Sequence, residues 1–76
     1  MLTLGTASTK SADFDLSDRE VRVLSLVVAG YRGKEIALRL GITPSTVERH
    51  IANIYRKTGA HSRAEAVALA LKSGVV

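Results

Sequence analysis

The chain has 76 residues, a formal net charge of +4 and no cysteine. A chain of this length has room for one small domain, and the absence of cysteine excludes disulfides, thiolate metal sites and cysteine nucleophiles. Its apolar runs, such as residues 24–29, which Ser25 interrupts, are too short to span a bilayer, and no signal-peptide pattern is present. We therefore expect a soluble, cytoplasmic protein with no membrane partner.

Residues 1–15 have the composition of a flexible tail or interdomain linker. They are rich in Ser, Thr, Ala and Gly and show no sustained hydrophobic period. We place the domain at residues 16–76, with Phe14 as the one tail residue that is a candidate for packing on the core.

A capping box predicts the start of a first helix. Ser17 and Glu20 have the spacing at which the serine oxygen accepts from a first-turn amide while the glutamate reaches back to the cap. Gly30 is the expected left-handed stop. The apolar residues at helical spacing on its inward side are Val21, Leu24 and Val28.

Three more helices follow, so the predicted fold is all-α with four helices. A second helix of residues 33–40 ends at Gly41, and a short turn leads to Thr43, which caps a third helix of residues 44–58 with Pro44 in its first position. A fourth helix begins at a second capping box, of residues 62–65, and stops at Gly74. The residues expected to face inward are Ile36, Ala37 and Leu40 in the second helix, Val47, Ile51 and Ile54 in the third, and Val67, Ala70 and Leu71 in the fourth.

The excess positive charge lies in the middle of the chain. Residues 33–63 carry six basic and two acidic side chains, whereas residues 1–32 and 64–76 are each balanced. Binding to a polyanion such as DNA would release counterions from it and so favour this segment. A solvated basic surface is the alternative that charge by itself leaves open.

Two helices joined by so short a turn predict a helix-turn-helix, whose second helix enters the major groove of double-stranded DNA. If Val47, Ile51 and Ile54 face the core, helical periodicity turns the opposite side of the third helix towards the groove. On this side, Arg49 can donate to guanine and Asn53 can bond to adenine. Glu48 can accept from cytosine, and Ala52 can make a methyl contact. Glu48 is alternatively explained by the dipole near the helix start. Lys34, Arg56 and Lys57 are candidates for contacts with DNA phosphates.

Together these motifs resemble the LuxR-type DNA-binding domains of the FixJ and NarL regulators. The resemblance spans residues 16–74 and rests on LSDRE at 16–20, KEIA at 34–37, TVERHI at 46–51, NI at 53–54, KTG at 57–59, Arg63, and EAV at 65–67. It implies a tetrahelical fold and base contacts from Glu48, Arg49 and Ala52. It also implies phosphate contacts from Lys34, Lys57 and the start of the third helix, where Thr43, Ser45 and Thr46 lie.

The resemblance further implies dimerisation through the fourth helix. Helical spacing turns Glu65, Leu69, Lys72 and Ser73 outward there, and we expect a weak homodimer that DNA strengthens. RNA polymerase is a further candidate partner. The family usually joins this domain to a receiver or ligand-sensing domain, so the chain is either a small autonomous regulator or the effector piece of a longer protein.

The sequence departs from the family at three positions. Members often carry a polar residue where this chain has Gly33 and basic residues where it has Glu48 and Ala52, so the operator cannot be transferred from them. One alternative function is promoter recognition by the last region of a sigma factor, against which the fourth helix argues. Another is a protein-interaction module without DNA binding, against which the basic outer side of the third helix argues.

No residues suggest catalysis or a cofactor. Neither His50 nor His61 has a second histidine at metal-ligand spacing, and no phosphate-binding glycine loop, paired acids or serine–histidine arrangement is present. We expect a binding protein, not an enzyme.

Overall fold

Four α-helices make up most of residues 14–76, the part of the chain that the computed structural model describes. They are α1 (Asp18–Val28), α2 (Gly33–Leu40), α3 (Pro44–Thr58) and α4 (Arg63–Ser73), and these described residues contain no strand. The predicted all-α, four-helix fold is confirmed. The expectation of a tail over residues 1–13 lies outside the described residues.

The helix ends follow from local capping chemistry. The Ser17 hydroxyl accepts from Glu20 N at 3.1 Å, and the Glu20 carboxylate accepts from Ser17 N at 2.9 Å, so the predicted capping box of α1 is confirmed. The Thr43 hydroxyl accepts from Thr46 N at 3.1 Å and starts α3 as predicted. These bonds satisfy amides that have no partner within the helix.

Two helix starts differ from what the sequence suggested. The Ser62 hydroxyl accepts from Glu65 N at 3.1 Å, but the Glu65 carboxylate accepts from His61 N at 2.6 Å, one residue further back than a capping box requires. The second predicted box is therefore only half formed. At the start of α2, an unpredicted bond of 2.8 Å joins Arg32 N to the Glu35 carboxylate.

All four helices contribute to one hydrophobic core. α1 packs its inward side mainly against α3, which also packs against α2, and α4 lies against α1 and α3. Ala37 is 4% exposed, and its small side chain allows α2 to approach closely. The fully buried large side chains are Val23, Leu24, Ile36, Val47, Ile54 and Val75.

The predicted inward side of α4 was right for Ala70 and Val67 and wrong for Leu71. Leu71 is 61% exposed, and the buried residues of this helix are Ala66 and Ala70, with Val67 packed beside them. Seven of the eight residues from 64 to 71 are apolar, so hydrophobic periodicity does not distinguish one side of this helix from another. The alanine side faces inward because small side chains let α4 approach its neighbours.

In α1 the core side is rotated slightly from the prediction. Leu24 is buried as expected, but Val23 and Val27 are its buried companions, whereas Val21 and Val28 are half-buried at the margins. Phe14 also packs against the core, so the folded unit extends two residues before the predicted boundary at residue 16.

Candidate nucleic-acid interface

A hydrogen-bonded turn fixes α3 relative to α2. Gly41 adopts a left-handed φ of +68°, and the amide of Ile42 donates to the carbonyl of Ala37 at 3.0 Å. This is the six-to-one bond of a glycine-terminated helix end, and the Ile42 side chain packs against the core beside it. The turn therefore sets the angle at which α3 leaves α2, which determines how α3 is presented to a partner.

The two sides of α3 have opposite character. Val47 and Ile54 are at most 1% exposed, and Ile51 is half-buried between them. The side predicted to face DNA carries the exposed residues Ser45, Glu48, Arg49, Ala52 and Arg56, with Thr46 and Asn53 half-buried at its margins. The residues predicted to meet bases thus share one accessible surface, which we call the outer side of α3.

Asn53 and Arg56 are joined within this surface. The Arg56 guanidinium donates to the Asn53 side-chain oxygen at 3.0 Å. That oxygen has a second lone pair, and the Asn53 amide nitrogen is not used by this bond. The arginine therefore orients the asparagine amide on the outer side of α3 without removing its capacity to donate.

The start of α3 offers the amide of Ser45 and several hydroxyls to an anion, because Pro44 has no N–H and the Thr46 amide is bonded to Thr43. Its first turn contains no acidic residue, and the Thr43 and Thr46 hydroxyls lie 2.9 Å apart in a mutual hydrogen bond. The exposed Ser45 lies beside them, and Lys34 is exposed in the first turn of α2. Helix N-termini attract phosphate groups because their free amides and the helix dipole favour negative charge.

Lys57 is placed differently from the other predicted phosphate ligands. Its ammonium donates to the Glu20 carboxylate at 2.8 Å and to the Asp15 carbonyl at 3.1 Å, and its side chain is 26% exposed. Lys57 therefore ties the last turn of α3 to the start of α1. A third ammonium proton remains for a phosphate.

Glu20 is the buried member of this pair, with its side chain 7% exposed. Burial raises the pKa of Glu20, but the hydrogen bonds from Lys57 and Ser17 and the charge of Lys57 together outweigh it and lower the pKa overall. This pair was not predicted from the sequence, because its members are 37 residues apart and no local pattern connects them.

Arg63 also has a structural role that its sequence context does not predict. Its guanidinium donates to the carbonyl oxygens of Val27 at 3.2 Å and Tyr31 at 2.5 Å, and so binds the C-terminal end of α1. A cation at that end also complements the helix dipole. Of the six basic residues between 33 and 63, Lys57 and Arg63 thus hold the fold together.

The residues predicted for dimerisation lie on α4 with unequal exposure. Glu65 and Lys72 are exposed, whereas Leu69 and Ser73 are half-buried. Helical geometry places Ala68 at the centre of the outward side, with Ala64, Leu71 and Lys72 exposed around it.

Within residues 14–76 no cluster of three or more His, Asp or Glu side chains could hold a metal ion. No helix in this part of the chain is long and apolar enough to cross a membrane.

A short fixed turn, a helix packed behind it and a polar, basic outer side on the following helix define a helix-turn-helix DNA-binding domain. A family model described as "Bacterial regulatory proteins, luxR family" matches residues 15–70, and the chain belongs to that family. The resemblance seen in the sequence is confirmed, and the sigma-factor alternative is not supported.

Several bacterial regulators are similar to the chain. It is 51% identical over 59 residues to transcriptional regulatory protein FixJ of Rhizobium meliloti, covering 78% of the chain and 29% of FixJ. It is 41% identical over 61 residues to transcriptional regulatory protein YdfI of Bacillus subtilis, covering 80% and 29%. It is 43% identical over 67 residues to oxygen regulatory protein NreC of Staphylococcus aureus, covering 88% and 31%. The chain thus spans less than a third of each of these relatives.

Proposed function

We propose that the chain binds specific sequences in double-stranded DNA and thereby regulates transcription, with α3 inserted in the major groove. The observation that carries this proposal is the contrast between the two sides of α3. Its outer side exposes polar and basic residues, and its opposite, inner side is apolar and packs on the core. A protein-interaction module would be expected to expose an apolar patch at that place instead.

The proposed base readers are Glu48, Arg49, Ala52 and Asn53. Arg49 is exposed and can donate two parallel hydrogen bonds to guanine, and Asn53 suits adenine. Glu48 is exposed one position before Arg49 and can accept from the amine of cytosine. Ala52 allows close approach or contacts a thymine methyl group.

The proposed phosphate ligands surround this set and position the domain without reading sequence. The exposed members are Lys34, Ser45 and Arg56, and the paired hydroxyls of Thr43 and Thr46 support binding at the start of α3. Lys57 remains in the set through its third ammonium proton. The residues proposed to bind DNA phosphates are therefore Lys34, Thr43, Ser45, Thr46, Arg56 and Lys57.

We propose that two copies pair weakly through α4 and that DNA strengthens the pairing. The proposed contact residues are Glu65, Leu69, Lys72 and Ser73, and the exposed Leu71 lies beside them. One helix face is small for a stable dimer, so most of the association would come from holding both copies on adjacent half-sites. Two-fold symmetry then requires an inverted-repeat operator.

The similarity to much longer regulators supports the role of an effector domain whose activity another domain controls. RNA polymerase is the further partner that we propose for this role.

Selection of random DNA duplexes on the purified chain, at a stated salt concentration, tests the proposal. We expect enrichment of an inverted repeat. Arg49→Ala should lower affinity for that site by about 1–3 kcal/mol and remove the preference at one base pair. Arg32→Ala is the matched control, because Arg32 is an exposed arginine that does not lie on α3. Enrichment of no sequence, or an unchanged base preference in Arg49→Ala, would contradict it.

A further inference from the structure

A basic groove lies between the first turns of α1 and the end of α2. It has a volume of about 420 Å³ and is lined by Asp18, Arg19, Arg22, Arg39 and Leu40. Three guanidinium groups thus surround one concave surface with a single carboxylate, and the half-buried Leu40 adds an apolar contact.

None of these arginines is neutralised by the rest of residues 14–76. The ion pairs in this part of the chain join Lys57 to Glu20 and His61 to Glu65, so Arg19, Arg22 and Arg39 form none with a described residue. The Arg39 guanidinium instead lies over the Tyr31 ring, with its Cζ 4.0 Å from the ring centroid. This cation–π contact restrains the guanidinium group and leaves its N–H groups to bind an anion.

The groove faces away from the outer side of α3. Arg22 lies about 150° around α1 from its buried side, at 100° per residue, and that buried side packs against the inner side of α3. Arg39 lies about 140° around α2 from Lys34, the residue proposed to hold a DNA phosphate there. Arg22 and Arg39 therefore lie on different sides of their helices from the residues that face α3 or are proposed to meet DNA.

We propose that this groove is a docking surface for an acidic segment of a partner protein. The partner chemistry follows from charge complementarity, because carboxylates pair with guanidinium groups in a planar, two-bond geometry. A leucine or similar side chain in the segment would contact Leu40. The site goes beyond DNA binding and is available while DNA is bound.

Nuclear magnetic resonance titration of the full 76-residue chain tests the proposal. The probe is the acetylated, amidated peptide EEDLEELLDE, and its control has glutamine and asparagine in place of the acids. We expect saturable amide shifts around Arg22 and Arg39 with the acidic peptide only. The double variant Arg19→Gln, Arg22→Gln should bind about fivefold more weakly. The matched variant Arg32→Gln removes a positive charge from an exposed residue outside the groove and should bind normally.

Duplex binding by the same variants separates the two macromolecular partners. If the groove holds protein, Arg19→Gln, Arg22→Gln keeps the DNA affinity and salt dependence of the unaltered chain. A loss of DNA affinity with a salt slope lower by about two would assign these arginines to phosphates and overturn the proposal. Peptide-induced shifts confined to α3, or no shifts, would also overturn it. Circular dichroism verifies that the groove variant and its control are folded.

Discussion

Replacing Lys57 with methionine would leave the Glu20 carboxylate buried without its positive partner. The methionine retains most of the apolar stem, so the change removes mainly the ammonium that binds Glu20 at 2.8 Å and the Asp15 carbonyl at 3.1 Å. Loss of one partner from a buried ion pair destabilises a protein by about 3–5 kcal/mol. Because the Lys57 side chain is 26% exposed, water reaches the pair, and we expect about 2–3 kcal/mol.

That loss is large for a domain of this size, whose total stability is on the order of 5–10 kcal/mol. Thermal unfolding monitored by circular dichroism at pH 7 should show a melting temperature lower by about 10–20 °C. Lys34→Met is the matched control, because Lys34 is exposed, and it should melt within about 2 °C of the unaltered chain. Equal melting temperatures for the two variants would refute a structural role for Lys57.

The pH dependence provides a second measurement. The pKa of Glu20 is lowered by folding, so its contribution is present above the ordinary pKa of 4.5 and is lost as pH falls through the lower, folded value. The unaltered chain should therefore lose stability through this acid range. Glu20→Gln should show a smaller acid-dependent loss, because no carboxylate remains at this position to take up a proton. An unchanged profile would show that Glu20 does not contribute.

Three further outcomes are expected. Glu48→Lys should bind DNA more tightly overall and with less selectivity in competition binding, and a loss of binding to every duplex by a folded variant would contradict the proposed role. A chain beginning at Phe14 should melt within about one degree of the full chain. One beginning at Leu16 should melt several degrees lower, because Phe14 packs on the core. A large drop in melting temperature on removing only residues 1–13 would show that these residues also contribute to stability. Leu69→Arg should abolish cooperative binding to a double site while single half-site binding persists, and Leu71→Arg, at a more exposed position, tests the same surface with less risk to folding. Undiminished cooperativity in both variants would remove this part of α4 from the interface.

Local chemistry made the helix-turn-helix predictable. The ends of α1 and α3 depend on contacts three residues apart, such as Ser17 with Glu20 and Thr43 with Thr46, and the sequence displays both partners at once. The inner side of α3 was also predictable, because Val47, Ile51 and Ile54 stand out in an otherwise polar helix. From that side follows the set of residues that face outward.

The orientation of α4 required the packed structure. Its apolar residues occur on every side, so periodicity placed Leu71 beside Ala70 on the inward side, whereas in the packed structure Ala66 is buried with Ala70 and Leu71 is exposed. Which side of such a helix is buried depends on the space that its neighbours leave, and the sequence of the helix does not contain that information.

Some roles of the basic residues could be predicted from the sequence, and others depend on the packed structure. The sequence by itself determined that positive charge accumulates around the third helix, since composition and spacing suffice for that. Only the tertiary structure decided that Lys57 binds Glu20, that Arg63 binds the end of α1, and that Arg39 joins two arginines of α1 around one groove. These contacts join residues that are distant in the sequence and meet only when the helices pack, so no local sequence pattern predicts them.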